Sequence, residues 1–151
     1  MKKFMFLCFA ILLSACSGQP TPASTPTTSG PLVIRLEDNS YAPKPEDLSM
    51  QKAGVILTSL DLFELAGITP VRTELTILGS TPGVCHELRI VVDPPDNNYQ
   101  IFIEIYSIVD PKLNCDNVFQ QFEASILFGE YSPGVYSIWV NTSFVGTIVS
   151  N

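Results

Sequence analysis

Few residues of this chain carry reactive chemistry, and their spacing decides what can be made of them. His86 is the only histidine, and its parity matches Leu88 and Ile90, which an alternating strand turns inward. A general base needs a nucleophile within hydrogen-bond reach. No serine or cysteine can be tied to His86 from the sequence, so it reads as a structural or solvent-edge side chain. The segments 93–98 and 110–117 hold acidic and amide oxygens of the kind calcium takes. They fall at opposite ends of one hairpin and cannot pool ligands, neither has a calcium-loop spacing, and turns favour Asp and Asn anyway. Asn141-Thr142-Ser143 matches a glycosylation sequon but reads as a hairpin turn. No catalytic residues, metal ligands or cofactor are expected, and the chain does not read as an enzyme.

The aromatic side chains offer a different chemistry, that of recognition. Phe102 and Tyr106 have the parity opposite to Ile101, Ile103 and Ile105, and so lie alongside Arg89 and Glu104 on the outward face. Trp139 has the parity opposite to Tyr136, Ile138 and Val140. A second sheet or the N-terminal segment covering all three is the simpler arrangement. If they were exposed, Phe102, Tyr106 and Trp139 would form a patch suited to sugar or protein contact.

The elements that would position these residues begin after an N-terminal address. Lys2 and Lys3 precede an apolar run from Phe4 to Leu13. As a helix this run spans about 15 Å, half the hydrocarbon core, which makes it an export signal and not a membrane span. Leu13-Ser14-Ala15-Cys16 closes it and resembles the lipobox of bacterial lipoproteins: an apolar residue, two small residues, then cysteine. The resemblance implies that the Cys16 thiol receives a diacylglyceryl group and that cleavage falls just before it. Two or three acyl chains, palmitate among them, would then anchor the chain durably. Residues 1–15 are thus expected to be a signal peptide. The mature protein is expected outside the cytoplasm, held by Cys16 on the cell membrane or outer membrane. Residues 16–31, rich in Ser, Thr and Pro, have nothing to bury and are expected to form a disordered linker.

Of the four cysteines, Cys8 leaves with the signal and Cys16 is the lipid site. Cys85 and Cys115 remain, and in an oxidising envelope they are expected to pair. With Lys2 and Lys3 removed, six basic residues face fifteen acidic ones. A chain so acidic offers no patch to neutralise phosphates, which excludes nucleic acid as a partner.

From residue 32 to 151 the chain alternates short apolar runs with turn chemistry. Strands are expected over 32–36, 54–65, 71–78, 85–93, 99–109, 122–128, 135–141 and 144–149, with one helical turn at 45–50. About seven strands at this spacing read as an all-β domain, an antiparallel immunoglobulin-like sandwich. For the hairpin of 85–93 with 99–109, pairing Leu88 with Ile105, Ile90 with Ile103 and Val92 with Ile101 turns both apolar sets to one side. That register also sets Arg89 opposite Glu104, places Cys85 opposite Ile108, and brings the loop carrying Cys115 to the same end.

Five strings carry a wider resemblance: Tyr41-Ala-Pro-Lys-Pro-Glu46, Cys85-His-Glu-Leu-Arg-Ile-Val-Val92, Ile105-Tyr-Ser-Ile-Val-Asp-Pro111, Phe122-Glu-Ala-Ser-Ile126 and Tyr136-Ser-Ile-Trp-Val-Asn141. They resemble a group of small, uncharacterised bacterial lipoproteins with one Ig-like β domain. The final hairpin of that group turns on Asn-Gly, where this chain has Asn141-Thr142. The resemblance implies a fold and no activity. The functional expectation is a non-enzymatic, membrane-tethered binding or structural module of the cell envelope. Its alternative is an accessory domain that recognises an extracellular carbohydrate or peptide through the aromatic face.

Overall fold

The computed structural model describes residues 39–151 and, for the backbone alone, 33–35. The expected signal peptide, the lipidated Cys16 and the 16–31 linker lie outside the described residues. Within them the chain forms ten strands: β1 (Val33–Arg35), β2 (Gln51–Ala53), β3 (Ile56–Leu65), β4 (Arg72–Thr81), β5 (Glu87–Val92), β6 (Gln100–Val109), β7 (Gln120–Leu127), β8 (Glu130–Tyr131), β9 (Gly134–Val140) and β10 (Ser143–Ser150). One 3₁₀ turn spans Pro45–Ser49. The domain is all-β, and the expected strands all form within a few residues of their expected bounds. Only the short β2 and β8 had no counterpart in the sequence reading.

The strands make two sheets and one small pair. β3, β4 and β7 form a three-stranded antiparallel sheet with β4 at its centre; β10, β9, β6 and β2 follow in order in a five-stranded sheet, with β5 also on β6; β1 pairs with β8. The expectation of antiparallel pairing throughout is corrected at one place, because β9 runs parallel to β6 over Gln100–Ile103. Between them the chain crosses to the other sheet and back, so no tight hairpin dictates the direction in which β9 returns.

Period-two alternation builds the core. β4 buries Thr73, Leu75, Ile77, Gly79 and Thr81 in turn. Leu75, Ile77, Ala124 and Ile126 of the three-stranded sheet face Ile90, Ile101, Ile103, Ile105, Tyr136, Ile138, Val140 and Ile148 of the other. Each large aliphatic side chain fully buried there contributes about 1.5–3 kcal/mol. The sheets approach so closely that a methyl group on Gly146 would come within 2.9 Å of Leu62 Cδ1.

The β5–β6 register differs from the expected one by two residues. Ile90 pairs with Ile105, Val92 with Ile103 and Arg89 with Tyr106. A shift of two preserves parity, so the inward set survives while every partner changes. Arg89 therefore does not face Glu104, which lies opposite Val91, and Ile108 lies opposite Glu87 and not Cys85. The cause is the connecting loop. Pro94 and Pro95 have no N–H to extend the ladder. The Asp96 carboxylate instead accepts from the backbone N–H groups of Asn98 and Gln100, both at 2.8 Å, forming a turn in which Tyr99 adopts φ 59°. These hydrogen bonds, Gln100 foremost, hold the Asp96 pKa below its usual value.

Arg89 instead serves a strap. Asn39 and Tyr41 hydrogen-bond to Ile90 at the edge of β5, and residues 51–53 lie on the far edge of β6. The intervening chain crosses the outer face, where the Arg89 guanidinium donates to both Asp47 oxygens at 2.7 and 2.9 Å. Arg89 is 4% exposed. The expected helical turn at 45–50 is thus the part of the strap that carries Asp47.

Candidate functional site

Among the described residues no further element lies over the half of the outer face beyond the strap, and the three aromatic residues line one concavity there. Tyr106 and Phe102 stand on β6 with Glu104 between them. Parallel pairing sets Trp139 beside Phe102, their ring centroids 6.5 Å apart and their planes 28° apart. Phe102 is 40% exposed, and Tyr106 and Trp139 are half-buried. The three-stranded sheet packs on the opposite side, so it does not cover them.

Phe144 joins this face against its parity. In a regular strand it would share the inward side with Ile148. An irregularity between Phe144 and Gly146 turns it outward, opposite Trp139, with ring centroids 5.4 Å apart in an edge-to-face arrangement. The sequence held a signal for this. A two-residue turn at Asn141-Thr142 pairs 140 with 143 and hence 139 with 144.

Polar groups border the rings. Lys52 Nζ lies 2.6 Å from Glu104 Oε1 and 3.9 Å from the centroid of the Tyr106 ring. Phe102, Tyr106, Trp139, this ion pair, Asp93 and the 141–142 turn line a concavity of about 510 Å³, within the range of about 300–1,000 Å³ usual for small-molecule sites. Trp139 Nε1 is buried without a hydrogen-bond partner among the described residues.

Asn141 fixes one wall. One edge of β6 pairs first with β9 and then, from Ser107 onward, with β2. In the gap the Asn141 side chain takes the place of a strand: Ile105 N–H donates to its Oδ1 at 2.8 Å and its Nδ2 donates to Ile105 O at 2.9 Å. Its backbone N–H donates to Ile103 O at 3.0 Å. Asn141 and Thr142 adopt φ 45° and 73°, the primed-turn geometry that asparagine tolerates and a β-branched residue does not favour.

The other sequence candidates lie elsewhere. Cys85 and Cys115 form a disulfide with Cα atoms 5.8 Å apart, at the far end of the sandwich from the β1–β8 pair. His86, for which the sequence suggested no serine partner, meets Ser107: Nδ1 is 3.0 Å from its Oγ. Ser107 has no exposed surface, and its hydroxyl donates to Ala53 O at 3.3 Å. The pair is a tie joining β5, β6 and β2. The acidic loops do lie at opposite ends of the hairpin, with Asp96 and Asp110 each satisfying local backbone N–H groups. No group of three or more metal-ligating side chains occurs among the described residues.

A second concavity of about 420 Å³ lies near β8. Beside it burial pushes the Tyr131 hydroxyl up to about 12. No family model, curated protein or solved structure matches this chain.

Proposed function

We propose that this chain is a membrane-tethered, non-enzymatic binding module of the cell envelope, with an Ig-like domain that recognises its ligand through the Phe102–Tyr106–Trp139 concavity. The observation that carries the reading is the convergence of these rings, from two strands that are not sequence neighbours, on a concave face with paired charges at its edge. A face kept merely soluble would spread its aromatic residues or cover them. Two facing sheets joined by strand crossovers support the Ig-like architecture. The lipobox supports an extracytoplasmic position with the bilayer as partner through acylated Cys16. The acidic balance disfavours nucleic acid.

A photo-crosslinking residue tests the binding face in the full chain in its membrane. Placed at Phe102 it should capture an envelope molecule, whereas at Phe63, exposed on the other sheet, it should not. No capture at Phe102, or equal capture at both, rejects the binding face. Intact mass tests the anchor separately: a chain beginning at Cys16 and carrying two or three acyl chains is expected, and an unmodified chain beginning at Met1 rejects it.

A further inference from the structure

We propose that the concavity takes a neutral pyranose oligosaccharide, an inference that rests on the binding-face reading above and names its ligand class. Phe102 and Trp139 stack beside each other in the concavity, ring centroids 6.5 Å apart and planes 28° apart. The C–H face of a pyranose is apolar and packs against aromatic side chains such as these, which leaves the sugar hydroxyls for the polar groups at the perimeter. There the protein supplies both donors and acceptors: the Lys52 ammonium, the Glu104 and Asp93 carboxylates and the Thr142 hydroxyl. A hydroxyl both donates and accepts, so it can use a border of mixed character.

The same geometry disfavours the other ligand classes. An anionic ligand needs an unneutralised cation, but Lys52 is held by Glu104 at 2.6 Å, and Asp93 adds further negative charge. A cage for a quaternary ammonium ligand lacks one wall here, because Lys52 Nζ already lies 3.9 Å from the centre of the Tyr106 ring. A peptide adding as a strand needs unpaired backbone groups. Those in the gap along β6 belong to Ile105, and the Asn141 carboxamide satisfies both its N–H and its C=O.

The chain contains a single tryptophan, and it forms part of this surface, so its emission reports occupancy directly. The full chain in detergent should be titrated with maltohexaose, cellohexaose and chitohexaose. Oligogalacturonate, choline and a proline-rich peptide serve as the anionic, cationic and peptide probes. A saturable change in Trp139 emission with at least one neutral oligosaccharide is expected, together with a loss of affinity of about tenfold or more in Phe102→Ala at an unchanged melting temperature. Silence to all three neutral sugars, or a stronger response to oligogalacturonate or choline, overturns the saccharide assignment. A response to the peptide alone overturns it too but leaves the binding face standing. Silence to every probe, joined to no crosslinking at Phe102, removes both.

Discussion

At the scale of single residues, Asn141 has two roles. Its backbone turns the β9–β10 hairpin in a left-handed conformation, and its side chain completes the hydrogen bonding of β6 where none of the described strands reaches. Asn141→Gly separates the two roles, because glycine keeps the turn and removes the carboxamide. It leaves Ile105 N–H and C=O without their partner and should cost about 1–2 kcal/mol, measured by urea unfolding of the full chain. Thr142→Gly should act in the opposite sense. Thr142 holds φ 73° against the crowding of its branched side chain. Relief of that strain less the added freedom of the unfolded chain leaves a stabilisation of about 0.5–1 kcal/mol. A destabilised Thr142→Gly variant would mean that the threonine side chain makes a contact worth more than the strain.

The strap shows what an element gains from one charged pair. Hydrogen bonds from Arg89, with a further one from Lys44 N–H, hold the Asp47 pKa at about 2 against its usual 3.8. A carboxylate whose pKa is depressed on folding adds stability that is present above the unfolded value and lost as the pH falls through the folded one. The strap should therefore hold undiminished above about pH 4 and loosen toward pH 2. Asp47→Asn should melt below the wild type at neutral pH, with the difference closing across that window. A constant difference from pH 6 to pH 2 would show that the pair does not titrate as its geometry requires. Little of the strap beyond its helical turn was legible in the sequence, since Asp47 and Arg89 lie 42 residues apart and no local pattern links them. The inward faces of β5 and β6 were legible because alternation depends on parity alone. Their register was not, because it was settled by Pro94, Pro95 and the Asp96 turn. Of the site, Phe102, Tyr106 and Trp139 could be read from parity. Phe144, set against its parity by a bulge, could be placed only from the length of the Asn141-Thr142 turn, and Lys52, carried by a strand of three residues, could not be placed at all.

At the scale of the whole molecule, the disulfide and the aromatic face are separate devices. Cys85 lies in the crossover from β4 to β5, which leads from the three-stranded to the five-stranded sheet. Cys115 lies in the return crossover from β6 to β7. The bond therefore joins two of the connections between the sheets, and none of the rings of the candidate site belongs to either connection. Closing a loop between cysteines 30 residues apart restricts the unfolded chain by about 3–4 kcal/mol. The Cys85→Ser/Cys115→Ser double variant should melt about 10–20 °C lower. Below its transition the Trp139 emission should match that of the wild type, because Phe102 and Phe144, the rings beside the indole, stay in place. Altered emission in the folded double variant would show that the crossovers and the aromatic face are coupled. The site would then depend on the redox state of a bond at the other end of β6.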